Sequence, residues 1–406
     1  MIVVNSSFKQ CLYGRQIGRY LSYICEKISA RNYCKDKKNS ESPLKNLLDD
    51  SASFEDLNPK NLEQQWATLP YLQGTKIRKQ GDFFKKEKHD PRETSIILFP
   101  GQGSQYVGMA KNLIKFPMVR DLFELASYIL NYDLLKLCLE GPKNKLDETK
   151  YAQPAIMVTS LAAIERLKEE RPNAVDNCVA TAGFSLGEIT ALVFAGALEF
   201  EKALKLVQIR AEAMQLACEA YKGGMVTVFL SPDSKLNYAL LKAKQWALEK
   251  GDEFPECKIA NYLHPGSKVV AGSESALEFL EKNYGEFNLR RVMRLPVSGA
   301  FHSDLMQPAV EPFKEALKNM DVSLPIISVY SNVDGKRYTS AQHIRKQLPK
   351  QIVKPVKWEQ LLHTVYERKP DDYFPRSFEC GPGQSLKAIL KKVNAKAWNN
   401  CFSIEG

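Results

Sequence analysis

Short unbroken apolar runs alternate along this chain with longer amphipathic stretches, the pattern of buried parallel strands wrapped by helices. Ile96-Ile97-Leu98-Phe99 makes the first such strand, beginning at Ser95; it stops at Pro100, and a Gly-rich turn, Gly101 to Gly103, follows. Cys178 to Ala182 predicts a second strand ending in a turn at Gly183. An Ala- and Leu-rich helix then runs from about Leu186 to Ala195, and a longer one from Glu201 to about Ala220. Val329 to Ser331 and Tyr373 to Glu379 read as later strands, and a turn at Gly381 to Gly383 leads into a helix over Gln384 to Val393.

Residues 223–296 break this rhythm. Met225 to Leu230, Cys257 to Tyr262, Val269 to Gly272 and Leu289 to Leu295 read as strands, and Ser234 to Lys250 and Ser275 to Tyr284 as helices. The order β-α-β-β-α-β is the ferredoxin-like signature. The fold expected is therefore α/β, with a large parallel-sheet domain over residues 93–222 and 297–406 and an inserted ferredoxin-like subdomain at 223–296.

The N-terminal region has a different character. Residues 1–38 hold eight Lys or Arg against Glu26 and Asp36, and Phe8, Leu12, Ile17, Tyr20, Leu21 and Ile24 form an apolar stripe on a helix. That is the pattern of a mitochondrial import presequence, with a basic tail as the plainer alternative. Residues 39–92 are polar, carry Pro43, Pro59 and Pro70, and read as a partly disordered linker with one short helix near Leu57 to Leu69.

The net charge of +10 suggests nucleic acid until its distribution is considered: six of the ten lie in residues 1–38, leaving +4 for the rest. No nucleic-acid partner is expected on that basis. No apolar run of about 18 residues is present, so no membrane span is expected. The nine cysteines are scattered without a C-x-x-C pair, which points to a reducing compartment and away from structural zinc.

Gly183-Phe184-Ser185-Leu186-Gly187 matches G-x-S-x-G, a nucleophile elbow, with a strand predicted before it and a helix after it, as the motif requires. This makes the large domain α/β-hydrolase-like. A serine hydroxyl needs a base, and His302 has the best setting, in the small-residue loop Pro296 to Ser303 where the chain re-enters the large domain. His89 falls in the linker, His264 in a turn, and His343 and His363 in polar helical stretches. The oxyanion formed during attack needs fixed donors, which the amides of Leu186 and of the Gly101-Gln102-Gly103 turn would supply. That turn lacks the Lys and Ser/Thr of a phosphate-binding loop.

Phe99 to Gln105, Gln153-Pro154-Ala155, Gly183 to Glu188, Gly299 to Ser303 and Gly381-Pro382-Gly383, in that order, resemble the malonyl-CoA:acyl carrier protein transacylases over roughly residues 95 to 396. The likeness runs to the mitochondrial form of animals, which also fits the presequence. The resemblance implies Ser185 as the acylated nucleophile, His302 as general base and acid, and the amides of Gln102 and Leu186 as the oxyanion hole. It places Gln153 in the pocket. It implies a dyad in which a main-chain carbonyl, here assigned to Lys357, orients His302, with Asn332 beside the substrate.

Arg210 matches the family's carboxylate-binding arginine. A guanidinium grips a malonyl carboxylate bidentately and has nothing to grip on an acetyl group; without the resemblance, pairing with Glu212 or Glu188 at the surface is the ordinary expectation. Phe184 departs from the histidine that bacterial members carry before the nucleophile, so pocket details do not transfer from them.

The implied reaction is ping-pong malonyl transfer from malonyl-CoA to the phosphopantetheine thiol of a mitochondrial acyl carrier protein. It takes place in the matrix, on a monomer, without cofactor or metal. Arg290, Arg291 and Arg294 are candidates for the entrance, where they would attract an acidic carrier protein and coenzyme A phosphates, with a solvated edge of the subdomain as the equal alternative. Two alternatives stand beside this: a serine hydrolase or thioesterase, which shares the elbow but usually places an Asp or Glu between its Ser and His, and a non-enzymatic mitochondrial scaffold.

Overall fold

The computed structural model describes Leu44, Leu47, residues 90–369 and residues 372–406. The expected presequence and the expected helix near Leu57 to Leu69 lie outside the described residues. Leu44 and Leu47, within the stretch read as a linker, are helical and pack against the main core. Their three-residue spacing puts both on one helix face.

The strands are β1 (Ser95–Phe99), β2 (Cys178–Gly183), β3 (Gly223–Leu230), β4 (Cys257–His264), β5 (Ser267–Ser273), β6 (Leu289–Arg294), β7 (Ser328–Val329), β8 (Arg376–Cys380) and β9 (Cys401–Ile404). They form two sheets. One is entirely parallel, in the order β7-β2-β1-β8-β9. The other is antiparallel, in the order β4-β5-β3-β6, and belongs to the expected β-α-β-β-α-β insert.

Every residue of β1 is buried because both faces of the parallel sheet are covered. Alternate side chains serve different cores, as the period of two requires. Ile97 and Phe99 pack with the helices Thr149–Glu170, Leu186–Phe194 and Phe200–Ala220, while Ile96 and Leu98 pack with Trp358, Leu361 and Leu390. β9 was not foreseen. It is only four residues long and its Phe402 is exposed, so no alternation marks it, yet it completes the sheet by pairing with β8.

The same alternation ties the small sheet to both of its neighbours. In β5, Val269 and Ala271 join the core of the large domain, whereas Val270 joins a separate core with the helices Leu236–Glu249 and Glu274–Asn283. The edge strand β4 also bonds to a loop of the large domain: Val356 N donates to Ala260 O at 2.8 Å and Tyr262 N to Val356 O at 2.9 Å. An ion pair between the nearly buried Lys268 and Glu359 closes the same seam. The insert is thus held against the segment that follows the helix Ala341–Gln351.

Candidate active site

The site lies beyond the carboxyl ends of β1 and β2, where ligands bind open α/β sheets. Ser185 stands between β2 and the helix Leu186–Phe194 with φ 53° and ψ −105°, a conformation that side-chain-bearing residues rarely adopt. The two glycines of the motif permit the crowding around it. A Cβ on Gly183 would lie 1.8 Å from the carbonyl carbon of Gly187, and one on Gly187 would lie 2.2 Å from Phe99 O.

Asn332 braces the bend from outside. Its Oδ1 accepts from Ser185 N at 2.6 Å and its Nδ2 donates to Gly183 O at 2.8 Å. Both ends of its side-chain amide thus bond to the elbow, where Asn332, expected beside the substrate, shapes the nucleophile's backbone.

His302, itself at φ 60°, brings Nε2 to 2.9 Å from Ser185 Oγ, and its Nδ1 lies 2.6 Å from the main-chain oxygen of Gln351. A carbonyl only accepts, so Nδ1 carries the proton and Nε2 presents its lone pair to the serine hydroxyl. The dyad is present, but its orienting carbonyl is not that of Lys357. The Lys357 carbonyl accepts from Leu361 N at 2.9 Å at the start of the helix Trp358–Val365, and the Lys357 amide donates to Asn332 O. Gln351 ends the helix Ala341–Gln351, where carbonyls are free of intrahelical partners.

Arg210 is 1% exposed, and its guanidinium reaches three groups. Nη2 donates to Ser185 Oγ at 3.1 Å and to Gln351 Oε1 at 2.9 Å; Nη1 donates to Gln153 Oε1 at 2.6 Å. The buried Nε has no partner among the described residues. Surface pairing with Glu212 or Glu188 is excluded by this burial. Burial lowers the arginine's pKa to about 10, partly offset by the charge of Glu188, so it remains a cation at neutral pH.

Gln153 joins Arg210 to the turn after β1: its Nε2 donates to Gln102 Oε1 at 3.3 Å, and Gln102 Nε2 donates to Thr149 Oγ1 at 3.1 Å. The main-chain amides of Gln102 and Leu186 have no acceptor among the described residues. Burial lowers the pKa of His302 to about 4, helped by the positive charge of Arg210 and opposed by the carbonyls of Gln351 and Lys354. The imidazole is therefore neutral and ready to accept a proton at neutral pH. His343 pairs instead with Asp334 at 3.3 Å.

Two groups that bond into this cluster escaped the sequence reading, Gln351 and the buried carboxyl of Glu188. A main-chain acceptor leaves no mark on residue type, and Gln351 lies in a stretch that reads as an ordinary polar helix. Phe184 packs edge-on to Trp358, with ring centroids 5.4 Å apart.

Residues 96–374 match the acyl transferase domain family. The chain is 61% identical over 315 residues to a Drosophila melanogaster protein named probable malonyl-CoA-acyl carrier protein transacylase, mitochondrial, covering 78% of this chain and 83% of that one. It is 51% identical over 319 residues to the human protein named malonyl-CoA-acyl carrier protein transacylase, mitochondrial, covering 79% and 82%. Among solved structures, an acyl carrier protein S-malonyltransferase of Vibrio cholerae superposes with TM-score 0.68 at 31% identity, covering 77% of this chain and 97% of that one. A malonyl-transacylase in complex with a type II polyketide acyl carrier protein gives TM-score 0.67, also at 31% identity, covering 76% and 94%. With this domain match and these relatives, the chain belongs to the acyl transferase domain family, among the malonyl-CoA-acyl carrier protein transacylases.

Proposed function

We propose that this enzyme moves a malonyl group from malonyl-CoA to the phosphopantetheine thiol of a mitochondrial acyl carrier protein, through an ester on Ser185, for type II fatty acid synthesis. The observation that carries this reading is that Ser185 Oγ lies between a base, His302 Nε2 at 2.9 Å, and a cation suited to a carboxylate, Arg210 Nη2 at 3.1 Å.

His302 takes the hydroxyl proton as Oγ attacks the thioester carbonyl. The amides of Gln102 and Leu186 receive the oxyanion. The carbon–sulfur bond then breaks, and coenzyme A leaves as a thiol with the proton returned by His302. The carrier's thiol reverses these steps on the seryl ester. Serine, histidine and two thiols balance every bond and proton, so the reading invokes no cofactor. Arg210 holds the free carboxylate of malonyl in both halves, and Gln153 holds Arg210.

The names of the animal relatives support a mitochondrial location, which we place in the matrix. For the carrier we favour the edge strand β6. Arg294 is engaged with Glu274 and Glu281, whereas Arg290 and Arg291 are exposed and have no ion-pair partner among the described residues. The hydrolase alternative is disfavoured because a carbonyl rather than a carboxylate stands behind His302.

Initial rates with malonyl-CoA and holo-carrier varied together test this function. Parallel double-reciprocal lines are expected for a covalent intermediate, and intersecting lines would reject it.

A further inference from the structure

The proposed mechanism leaves unused one ionisable side chain wholly buried beside the site. Glu188 follows Ser185 by three residues, on the first turn of the helix Leu186–Phe194, and is 0% exposed. Its Oε1 accepts from the hydroxyl of Tyr338, and its Oε2 accepts from Gln351 Nε2 at 2.5 Å. The second hydrogen of that Nε2 goes to Ser185 O at 2.8 Å. With both amide hydrogens drawn toward acceptors on one side, the Gln351 oxygen faces Arg210 at 2.9 Å. One side chain therefore links a buried carboxylate, the nucleophile's carbonyl and the guanidinium.

Acylation creates an imidazolium next to the fixed cation of Arg210, and two like charges out of water repel strongly. The malonyl carboxylate balances one of them. The remaining positive charge needs another anion, and Glu188 is the carboxylate that the network aims at Arg210. We propose that Glu188 is a positioning residue for malonyl transfer, acting through Gln351 as the internal counter-ion of Arg210 so that His302 can take up the proton of Ser185. The inference rests on the reading of Arg210 as the malonyl anchor. An acetyl group brings no carboxylate, so its transfer depends still more on Glu188.

The groups facing Glu188 are Tyr338 from the loop after β7, Gln351 from the helix Ala341–Gln351, Arg210 from the helix Phe200–Ala220, and the main chain of Asn332. Burial pushes the Glu188 carboxyl up to about 7 against the restraint of these partners. His302, at about 4, is already neutral in that range, so Glu188 is the member of the network that changes charge near neutrality.

Single-turnover acylation by malonyl-CoA and by acetyl-CoA, followed from about pH 5 to 9 in wild type, Glu188→Gln, Tyr338→Phe and Arg210→Ala, tests this. The wild-type rate should rise through about pH 7. Glu188→Gln should lack that limb, acylate from malonyl-CoA about tenfold more slowly at the upper plateau, and lose more with acetyl-CoA. Tyr338→Phe keeps the carboxylate but removes a donor to its charged form, so its limb should move to higher pH; it decides the matter if Glu188→Gln does not fold. A limb that survives in Glu188→Gln, a limb unmoved in Tyr338→Phe, or equal proportional losses for malonyl and acetyl would overturn the counter-ion role. Arg210→Ala separates the two ideas. If it keeps the malonyl preference, the anchor reading fails; if it loses the preference while Glu188→Gln slows both acyl groups equally, only the inference about Glu188 fails.

Discussion

The main-chain oxygen of Gln351 lies 2.6 Å from Nδ1 of His302, and the side chain of the same residue bonds to Arg210, Glu188 and the carbonyl of Ser185. The two parts of Gln351 therefore do separable work. Gln351→Ala keeps the carbonyl, and with it the tautomer of His302, but removes the amide. Acyl transfer should persist at reduced rate, with a greater loss for acetyl than for malonyl, because the amide is the link through which Glu188 reaches Arg210. Steady-state kcat/KM with both thioesters measures this; equal losses would contradict it.

Arg210→Ala should lower kcat/KM for malonyl-CoA about a hundredfold, the value of two charge-assisted hydrogen bonds, and leave acetyl transfer far less affected. A competition assay with mixed malonyl-CoA and acetyl-CoA reads the ratio directly. An unchanged ratio would remove Arg210 from substrate selection.

Asn332→Ala should destabilise the fold by about 2 kcal/mol or more, because it leaves the buried Ser185 amide and Gly183 carbonyl without partners. Activity should fall as the elbow relaxes. Denaturant unfolding gives the first quantity and Ser185 acylation rate the second; full activity together with wild-type stability would show that the brace is dispensable.

The pH dependence of stability follows from Glu188. Its folded pKa, about 7, lies above the ordinary 4.5, so between those values the native state binds more protons than the unfolded state. Wild type should thus lose stability from this group as pH rises through that window. The Tm of Glu188→Gln minus that of wild type should grow between about pH 4.5 and 7 and level off outside it. A pH-independent difference would mean that the carboxyl is not titrating as a buried group.

Arg290→Glu with Arg291→Glu should slow transfer to the carrier protein, more so at low salt, while sparing transfer to free pantetheine. Equal slowing of both acceptors would move the docking surface elsewhere.

Most of the fold was legible because the elements that build it are strongly patterned. The fully apolar β1, the strand-turn-helix around Ser185 and the β-α-β-β-α-β order of the insert left little choice of architecture. β9 was missed because four residues with an exposed Phe402 carry no period. The pairing of Ser185 with His302 was legible for a different reason: the two meet through their side chains, so residue type and local context mark them. Their support was not. Any residue can present a carbonyl, so residue type did not point to Gln351, and the fact that Lys357 O starts the next helix emerges only once that helix is placed. The bonds of Asn332 to the elbow were not foreseen, because a sequence does not tell whether a buried amide faces the ligand or the backbone. Glu188 reads as the residue directly after the G-x-S-x-G motif, and its burial under Tyr338 and Gln351 depends on segments about 150 residues away.

The central claim is that a malonyl ester forms on Ser185. The most direct measurement is the intact mass of the enzyme after mixing with malonyl-CoA, followed by peptide mapping. The account predicts one malonyl group per chain, located on Ser185, absent from Ser185→Ala and discharged by adding holo-carrier. A malonyl adduct that persists in Ser185→Ala, or carrier malonylation with no adduct on the wild-type enzyme, would contradict it.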